Sequence, residues 1–361
     1  MIRPPWPPGE PYVVIDLGTL GGESMGMAIN AAGIVTGVAY LSSTDPHGGG
    51  VRAFRYADSV GMIDVGTLPQ SNMSLGYGIN KNLQIVGLSF LAGLEPHAFL
   101  AQEGFPIIDL GSLSVPSSSG DSIANDINDV GMVTGQSWTN DNSSHAFIWT
   151  SGSTRDIGTL VGQNSVGRSI NFSGDVAGES EIGSGQTTRA FRFTEADGVV
   201  DLGTLGGTNS SAYGINNSGQ VVGESDTGPG TVVGESDTRP IVRPGVRFRG
   251  FSFFNTHAFL WTEGVGMTDL GHLGGGTSRA TAINNNEVVV GFSTRINGTG
   301  YAFSWTRAGG MVDLNTLLPL NSGWVLMEAD GINDNGQITG YGLHNGAGRA
   351  FRLSPYKPVN V

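Results

Sequence analysis

The chain has no cysteine in its 361 residues, which excludes disulfide staples and thiolate metal sites. It has two lysines, Lys81 and Lys357, and only 14% charged residues with a net charge of −13. A chain this acidic lacks the basic face that displaces counterions from nucleic acid, so no nucleic-acid partner is expected. No apolar run reaches the roughly 18 residues that a membrane-spanning helix needs, so no membrane span is expected. The opening Met-Ile-Arg-Pro-Pro-Trp-Pro-Pro-Gly-Glu lacks the apolar centre of a signal peptide, so export is expected to need a leader this sequence does not carry. No apolar pattern recurs with a helical period of about 3.6, which argues against a helical solenoid. Gly-x-Ser-x-Gly, His-Glu-x-x-His and phosphate-loop motifs are all missing, and no cofactor or metal is expected. Asp126-Ile127-Asn128-Asp129-Val130-Gly131 begins like a calcium loop, but its twelfth position is Ser137 where an EF-hand needs a bidentate Glu.

What is present is glycine, 59 residues of it, arranged in a repeat. Four fragments recur seven times in one order: Asp-Leu-Gly-Thr-Leu, Gly-Ile-Asn, Gly-Gln-Val-Val-Gly and His/Arg-Ala-Phe. The first Asp falls at Asp16, Asp64, Asp109, Asp156, Asp201, Asp269 and Asp313, with spacings of 48, 45, 47, 45, 68 and 44. A period near 45 with four strand-like pieces per unit predicts an all-β, seven-bladed β-propeller with four antiparallel strands per blade. The whole of 1–361 then forms one domain. Residues 12–17 are a closing strand, and the blades cover about 25–67, 74–112, 122–159, 166–204, 210–272, 278–316 and 326–354.

Short turns between fragments give the strand order. Gly-Ile-Asn hairpins into Gly-Gln-Val-Val-Gly, and His-Ala-Phe hairpins into the next Asp-Leu-Gly. The Gly-Ile-Asn strand is placed innermost because three residues before each Ile stands Gly26, Gly76, Ala124, Gly167, Ala212, Ala280 or Ala329. Strands converging on an axis need small side chains there. The chain starts with an outermost strand and ends with a third strand, so pairing the two closes the ring and removes exposed edges.

The repeated polar residues read as frame. Each third strand opens with a donor, and a repeat Asp folds back beside it: Arg52 with Asp64, His97 with Asp109, His145 with Asp156, Arg189 with Asp201, His257 with Asp269, Tyr301 with Asp313, and Arg349 with Asp16 across the closure. Arg replaces His freely, and Arg is no general base near neutral pH, so these are structural pairs and not catalytic dyads. The Asn after each Ile caps its turn. At these residues the chain resembles the HAF-repeat proteins, named for His-Ala-Phe. The likeness runs from Asp16 to Phe351, with departures at Leu83, Glu287 and Tyr301. It implies a β-repeat architecture and an extracellular or cell-surface location, and it brings no catalytic residues.

Function is expected where the units differ. The fifth carries an insertion of about 226–254, in which Val221–Thr227 is repeated as Val232–Thr238 before a cationic, aromatic stretch with Arg243, Arg247, Arg249, Phe251, Phe253 and Phe254. Arg and aromatic residues dominate binding hot spots. The second place is two residues before each Ile: Met27, Tyr77, Asn125, Arg168, Tyr213, Thr281 and Asp330. Near a channel mouth, Tyr77, Asn125, Arg168, Tyr213 and Asp330 suit a small polar ligand such as a sugar. The expected function is a non-catalytic secreted or surface module that binds a glycan or protein on the loop face. A carbohydrate-active enzyme using Glu179 and Glu224, which follow equivalent second strands, is the alternative. A structural surface protein that self-associates is another, and the oligomeric state is open.

Overall fold

The computed structural model describes residues 12–42, 50–91, 95–114, 120–183, 187–228 and 256–356. These form seven antiparallel four-stranded sheets, one per repeat, arranged as the blades of a propeller. Blade one comprises Ser24–Ile29, Val35–Tyr40, Val51–Ala57 and Gly61–Gly66, from the axis outward. The inner strands of the other blades are Ser74–Ile79, Ser122–Ile127, Ser165–Ile170, Ser210–Ile215, Ser278–Ile283 and Trp324–Ile332. Tyr12–Asp16 pairs with Ala347–Pro355 as the outermost strand of blade seven, which closes the ring. Among the described residues no helix is long and apolar enough to cross a membrane.

Burial explains most of the repeat. The Phe of every His/Arg-Ala-Phe fragment or its equivalent is sealed in the core: Phe54, Phe99, Phe147, Phe191, Phe259, Phe303 and Phe351 are all at most 1% exposed. Each blade alone is a thin sheet, and burial between neighbouring sheets supplies the apolar stabilisation.

The small residue on each inner strand marks where blades approach most closely. Its choice follows the residue it meets on the preceding blade's second strand. Thr36, Thr134 and Thr339 turn a hydroxyl to their own blade's Phe54, Phe147 and Phe351 carbonyls at 2.8–2.9 Å. That same hydroxyl lies against Gly76, Gly167 and Gly26 of the next blade, where a Cβ at Gly76 would stand 2.6 Å from Thr36 Oγ1. Where the second strand offers Val86, Ala177, Val222 or Val290, the next blade has Ala124, Ala212, Ala280 or Ala329 packed in the same apolar cluster. Thr faces Gly and an apolar residue faces Ala at all seven junctions.

The asparagines go beyond capping. Each Oδ1 accepts from the backbone N–H two and four residues on, at 2.9–3.1 Å in every blade. Each Nδ2 donates to the backbone carbonyl of the equivalent Asn in the next blade, from Asn30 to Asn80, Asn128, Asn171, Asn216, Asn284, Asn333 and back to Asn30, at 2.9–3.3 Å. The circle is complete, and all seven are buried.

A second connector has no counterpart among the sequence expectations. Ser24, Ser74, Ser122, Ser165, Ser210 and Ser278, five residues before the Ile, accept from the Ala N–H of the preceding blade's third strand at 2.8–3.0 Å. Five of them, all but Ser122, also donate to the carbonyl of the Gly in the repeat Asp-x-Gly segment, as Ser74 does to Gly66 at 2.6 Å.

Gly76→Ala should destabilise the fold by about 1–3 kcal/mol through overpacking against Thr36. Adding Thr36→Val should recover at least about 1 kcal/mol of that loss, which a double-mutant cycle in urea would read as coupling. An additive result would remove the junction rule. Asn333→Asp keeps the turn acceptor but sets a carboxylate against the Asn30 carbonyl. It should cost about 1–3 kcal/mol, measured by the same unfolding transitions.

Candidate functional site

The inner strands carry one further repeated feature, a β-bulge. The pairing register with the second strand slips between Gly26 and Ala28, Gly76 and Gly78, Ala124 and Asp126, Gly167 and Ser169, Ala212 and Gly214, Ala280 and Ala282, and Ala329 and Gly331. The extra residue at each slip is Met27, Tyr77, Asn125, Arg168, Tyr213, Thr281 or Asp330. A bulge re-aims the side chain it displaces. All seven line one cavity of about 170 Å3 on the axis. The structure therefore brings together the five ring residues singled out as ligand-binding, Tyr77, Asn125, Arg168, Tyr213 and Asp330. Ile29, Ile79, Ile127, Ile170, Ile215, Ile283 and Ile332 form an apolar ring around a second cavity on the asparagine side, and five of them, all but Ile127 and Ile170, also line this one.

The cavity has two unlike halves. Around blades one to three, Met27, Tyr77 and Ile123 pack on a buried cluster of Val38, Tyr40, Val51, Met73, Leu75, Leu88 and Phe90. Around blades four to seven Arg168, Tyr213, Thr281 and Asp330 line the cavity, and a charged layer stands behind them. Arg168 is ion-paired with Glu179, and Tyr213 donates to Glu224 Oε1 at 2.8 Å. Thr256 Oγ1 donates to the other Glu224 oxygen at 3.3 Å. Arg279 pairs with Glu328 at 2.6 Å, both almost wholly buried, and its guanidinium lies 5.8 Å from the Tyr213 ring centre. Asn125 donates to the Gly167 carbonyl at 2.8 Å, and Thr281 to that of Ala329 at 2.5 Å.

Electrostatics tie this half into one cluster. Burial pushes the Glu224 carboxyl above the usual carboxylate range, with Arg279 and the Tyr213 hydroxyl partly offsetting it. Burial also raises the Tyr213 hydroxyl, and the Glu224 and Glu179 charges add to that. Burial opposes the Arg279 charge, but Glu328 and Glu224 outweigh it and hold the guanidinium firmly protonated. Tyr213 lines the cavity and Glu224 and Arg279 stand behind it; perturbed groups gathered beside a cavity mark candidate functional sites.

Arg279 and Glu328 were not among the residues singled out from the sequence, although a signal for them exists. Four residues before each Ile stand Met25, Leu75, Ile123, Val166, Ser211, Arg279 and Glu328, as dissimilar a set as the bulge ring. Their strand partners are Val38, Leu88, Gln136, Glu179, Glu224, Phe292 and Tyr341. The insertion residues Arg243, Arg247, Arg249, Phe251, Phe253 and Phe254 lie outside the described residues. The strands on either side of that segment end at Asp226 and start at Thr256, beside Glu224.

The donor–Asp pairs lie away from the axis, at the third strand and the segment after it. His97, His145 and His257 reach Asp109, Asp156 and Asp269 through Nδ1 at 2.7–2.8 Å. Arg52 and Arg189 stand farther from Asp64 and Asp201, at 3.4 and 3.8 Å. Two pairs differ from expectation. Asp313 is held by Arg295 and not by Tyr301, because the loop after the second strand sets that guanidinium 4.7 Å over the Tyr301 ring. Asp16 takes its short contact, 2.7 Å, from His344, with Arg349 at 4.0 Å. In blade seven the second and third strands join through a two-residue turn, Asn345-Gly346, both at positive φ. That extends the second strand to His344, which stacks on Trp324 at 4.6 Å. The Asp of each repeat also accepts from the N–H two residues on, at 2.7–2.8 Å in all seven units. Asp126, at the head of the calcium-like segment, accepts from Ile127 N, Ser169 Oγ and Ile170 N, the last two in the next blade.

No protein-family model and no curated protein matches the chain. Among solved structures, TolB from Acinetobacter baumannii is 10% identical over 84% of this chain and 76% of its own, with a TM-score of 0.41. A gluconolactonase-like protein is 12% identical over 97% and 93%, also at 0.41. Trypanosoma rangeli sialidase is 10% identical over 93% of this chain and 54% of its own, at 0.40. These likenesses are remote, and the fold is read from the sheet topology.

The His97–Asp109 pair makes stability depend on pH. The hydrogen bond to Asp109 raises His97 above its ordinary 6.5, against the cost of burial. Burial opposes the Asp109 charge, yet the bonds from His97 and Gly111 leave that carboxyl below its ordinary 3.8. The raised His97 stabilises fully below about 6.5 and loses that contribution as pH climbs through its folded value. The lowered Asp109 stabilises above about 3.8 and loses it in more acid solution. His97→Gln should therefore destabilise most near pH 5 and progressively less above pH 7. Urea unfolding across that range would check this, and a pH-independent difference would contradict it.

Proposed function

We propose that this is a HAF-repeat protein working at the cell surface or outside the cell, whose propeller binds a glycan by taking one sugar unit into the axial cavity. The observation that carries this is the bulge ring: seven β-bulges turn into one cavity the seven side chains that the repeats do not share. An apolar wall beside Met27 and Tyr77 suits the C–H face of a sugar. Asn125, Arg168, Tyr213 and Asp330 suit its hydroxyls. Ligand pockets pair apolar walls with a few placed polar groups in this way, and drug-sized ones run to about 300–1,000 Å3. A cavity of about 170 Å3 is smaller, which fits a single residue and not a long chain.

A second reading, glycoside hydrolysis, has one observation in its favour. Glu179 and Glu224 sit at equivalent positions on adjacent second strands, one ion-paired and the other pushed towards its protonated form. Unlike environments for two carboxyls are the mark of an acid and a carboxylate partner. The engagement of Glu179 by Arg168 favours binding over hydrolysis.

A glycan array probed with the full chain should give defined ligands. Tyr77→Ala and Asn125→Ala should each weaken the best of them by about tenfold or more, measured at a temperature where both variants remain folded. An array without binding above background, or ligands indifferent to both substitutions, would remove the reading. Release of free sugar from array ligands, abolished by Glu224→Gln, would select hydrolysis instead.

A further inference from the structure

The charged half of the cavity is out of balance. Glu179, Glu224, Glu328, Asp330 and Asp126 supply five carboxylates against the two guanidiniums of Arg168 and Arg279. Both guanidiniums are already engaged, Arg168 by Glu179 and Arg279 by Glu328. Even with a proton on Glu224 the carboxylates outnumber the guanidiniums. Arg279 is buried behind the cavity wall, whereas Arg168 lines it. Arg168 is thus the cation a ligand would meet, and Glu179 decides how much of its charge is available.

We propose that Glu179 makes the axial site selective for sugar units without a carboxylate, by occupying the Arg168 guanidinium that an acidic sugar would need. This rests on the sugar-binding reading above. Guanidinium is the side-chain group best shaped to bind a carboxylate through two parallel hydrogen bonds. Here an internal carboxylate has taken that role. A uronic acid entering the cavity would bring a further negative charge near Asp126 and Asp330, which line it, and Glu179 and Glu224 behind them, and like charges repel. A neutral sugar hydroxyl meets no such repulsion. It donates to a carboxylate oxygen and accepts from a guanidinium N–H at the same time. Arg168 lines the cavity with about a quarter of its side chain exposed, so the guanidinium edge that a hydroxyl would meet is the part outside the enclosed Nε.

The test uses the full chain against immobilised matched pairs, glucoside with glucuronide and galactoside with galacturonide. Wild type should favour the neutral member of each bound pair by about tenfold or more, the scale expected for like-charge rejection. Glu179→Gln frees the guanidinium and should raise the ratio of uronide to neutral binding by about tenfold. Removing the cation as well, in the Arg168→Gln/Glu179→Gln double variant, should abolish that gain. Wild type binding uronides as well as or better than their neutral partners overturns the proposal. So does a folded Glu179→Gln protein with an unchanged ratio. If Glu179→Gln does not fold, the wild-type ratio decides alone. Absence of wild-type binding to either member of every pair refutes the sugar-binding reading itself, and the selectivity proposal falls with it.

Discussion

Seven asparagines hold the centre of this molecule. Each uses its carbonyl oxygen to close its own turn and its amide nitrogen to reach the backbone of the next blade. The two halves of one amide thus fix both the shape of a blade and its position relative to its neighbour. Glutamine would be one methylene too long for the local turn, and aspartate has no donor for the neighbour. Because the circle returns from Asn333 to Asn30, no blade can shift along the axis without breaking two of its links. The inner strands are therefore held at one height. Whatever stands a fixed number of residues before the asparagine lies in one plane around the channel.

That common height gives the bulges their effect. A single bulge would aim one side chain at the axis, but seven at the same distance from the asparagine ring make a lined chamber. The small residue immediately before each bulge lets the next blade come close. The isoleucine just before each asparagine sets a ring of apolar side chains beneath the chamber. Within five residues each inner strand alternates between frame and variable position: Gly or Ala towards the neighbouring blade, a free choice towards the channel, Ile towards the axis, and Asn in the ring. The frame tolerates any side chain at the bulge because that residue takes no part in the paired register.

Much of this was legible in the sequence, and the reasons are physical. Strand order followed from turn lengths, and the innermost strand from the Gly or Ala that a converging wedge requires. Ring closure followed from a leading outer strand and a trailing third strand. The candidate ring was legible because a position unlike in all seven copies stands out against a strict repeat. Its facing was not, since a bulge changes which side a residue points to without any compositional sign. The serine connectors were missed although six copies recur, because serine in a glycine-rich strand looks like generic turn chemistry until its two partners in the preceding blade are seen. Tyr301 and Arg349 were assigned partners by analogy with the other units. Arg295 and His344 come from loops and strand extensions of irregular length, which a repeat pattern does not describe. Leu83 and Glu287 show the same limit from the other side. Both adopt the positive φ that glycine takes at equivalent turns, so the asparagine cap sets the turn even where the residue resists it.

The repeat also supplies an internal comparison for the charged cluster. At equivalent inner and second-strand positions, blade one has Met25 and Val38, and blade two has Leu75 and Leu88, the latter three fully buried. The frame is therefore satisfied by apolar packing at those positions. Blades four to seven place Glu179, Glu224, Arg279 and Glu328 there instead. Replacing a buried ion pair by apolar residues of similar size is often neutral or stabilising by about 1–4 kcal/mol. The fold has that solution in hand two blades away, so stability does not account for the charges. Their place beside the cavity does: a channel polarised into an apolar and a charged half orients a ligand that has both kinds of surface, which seven identical blades could not do.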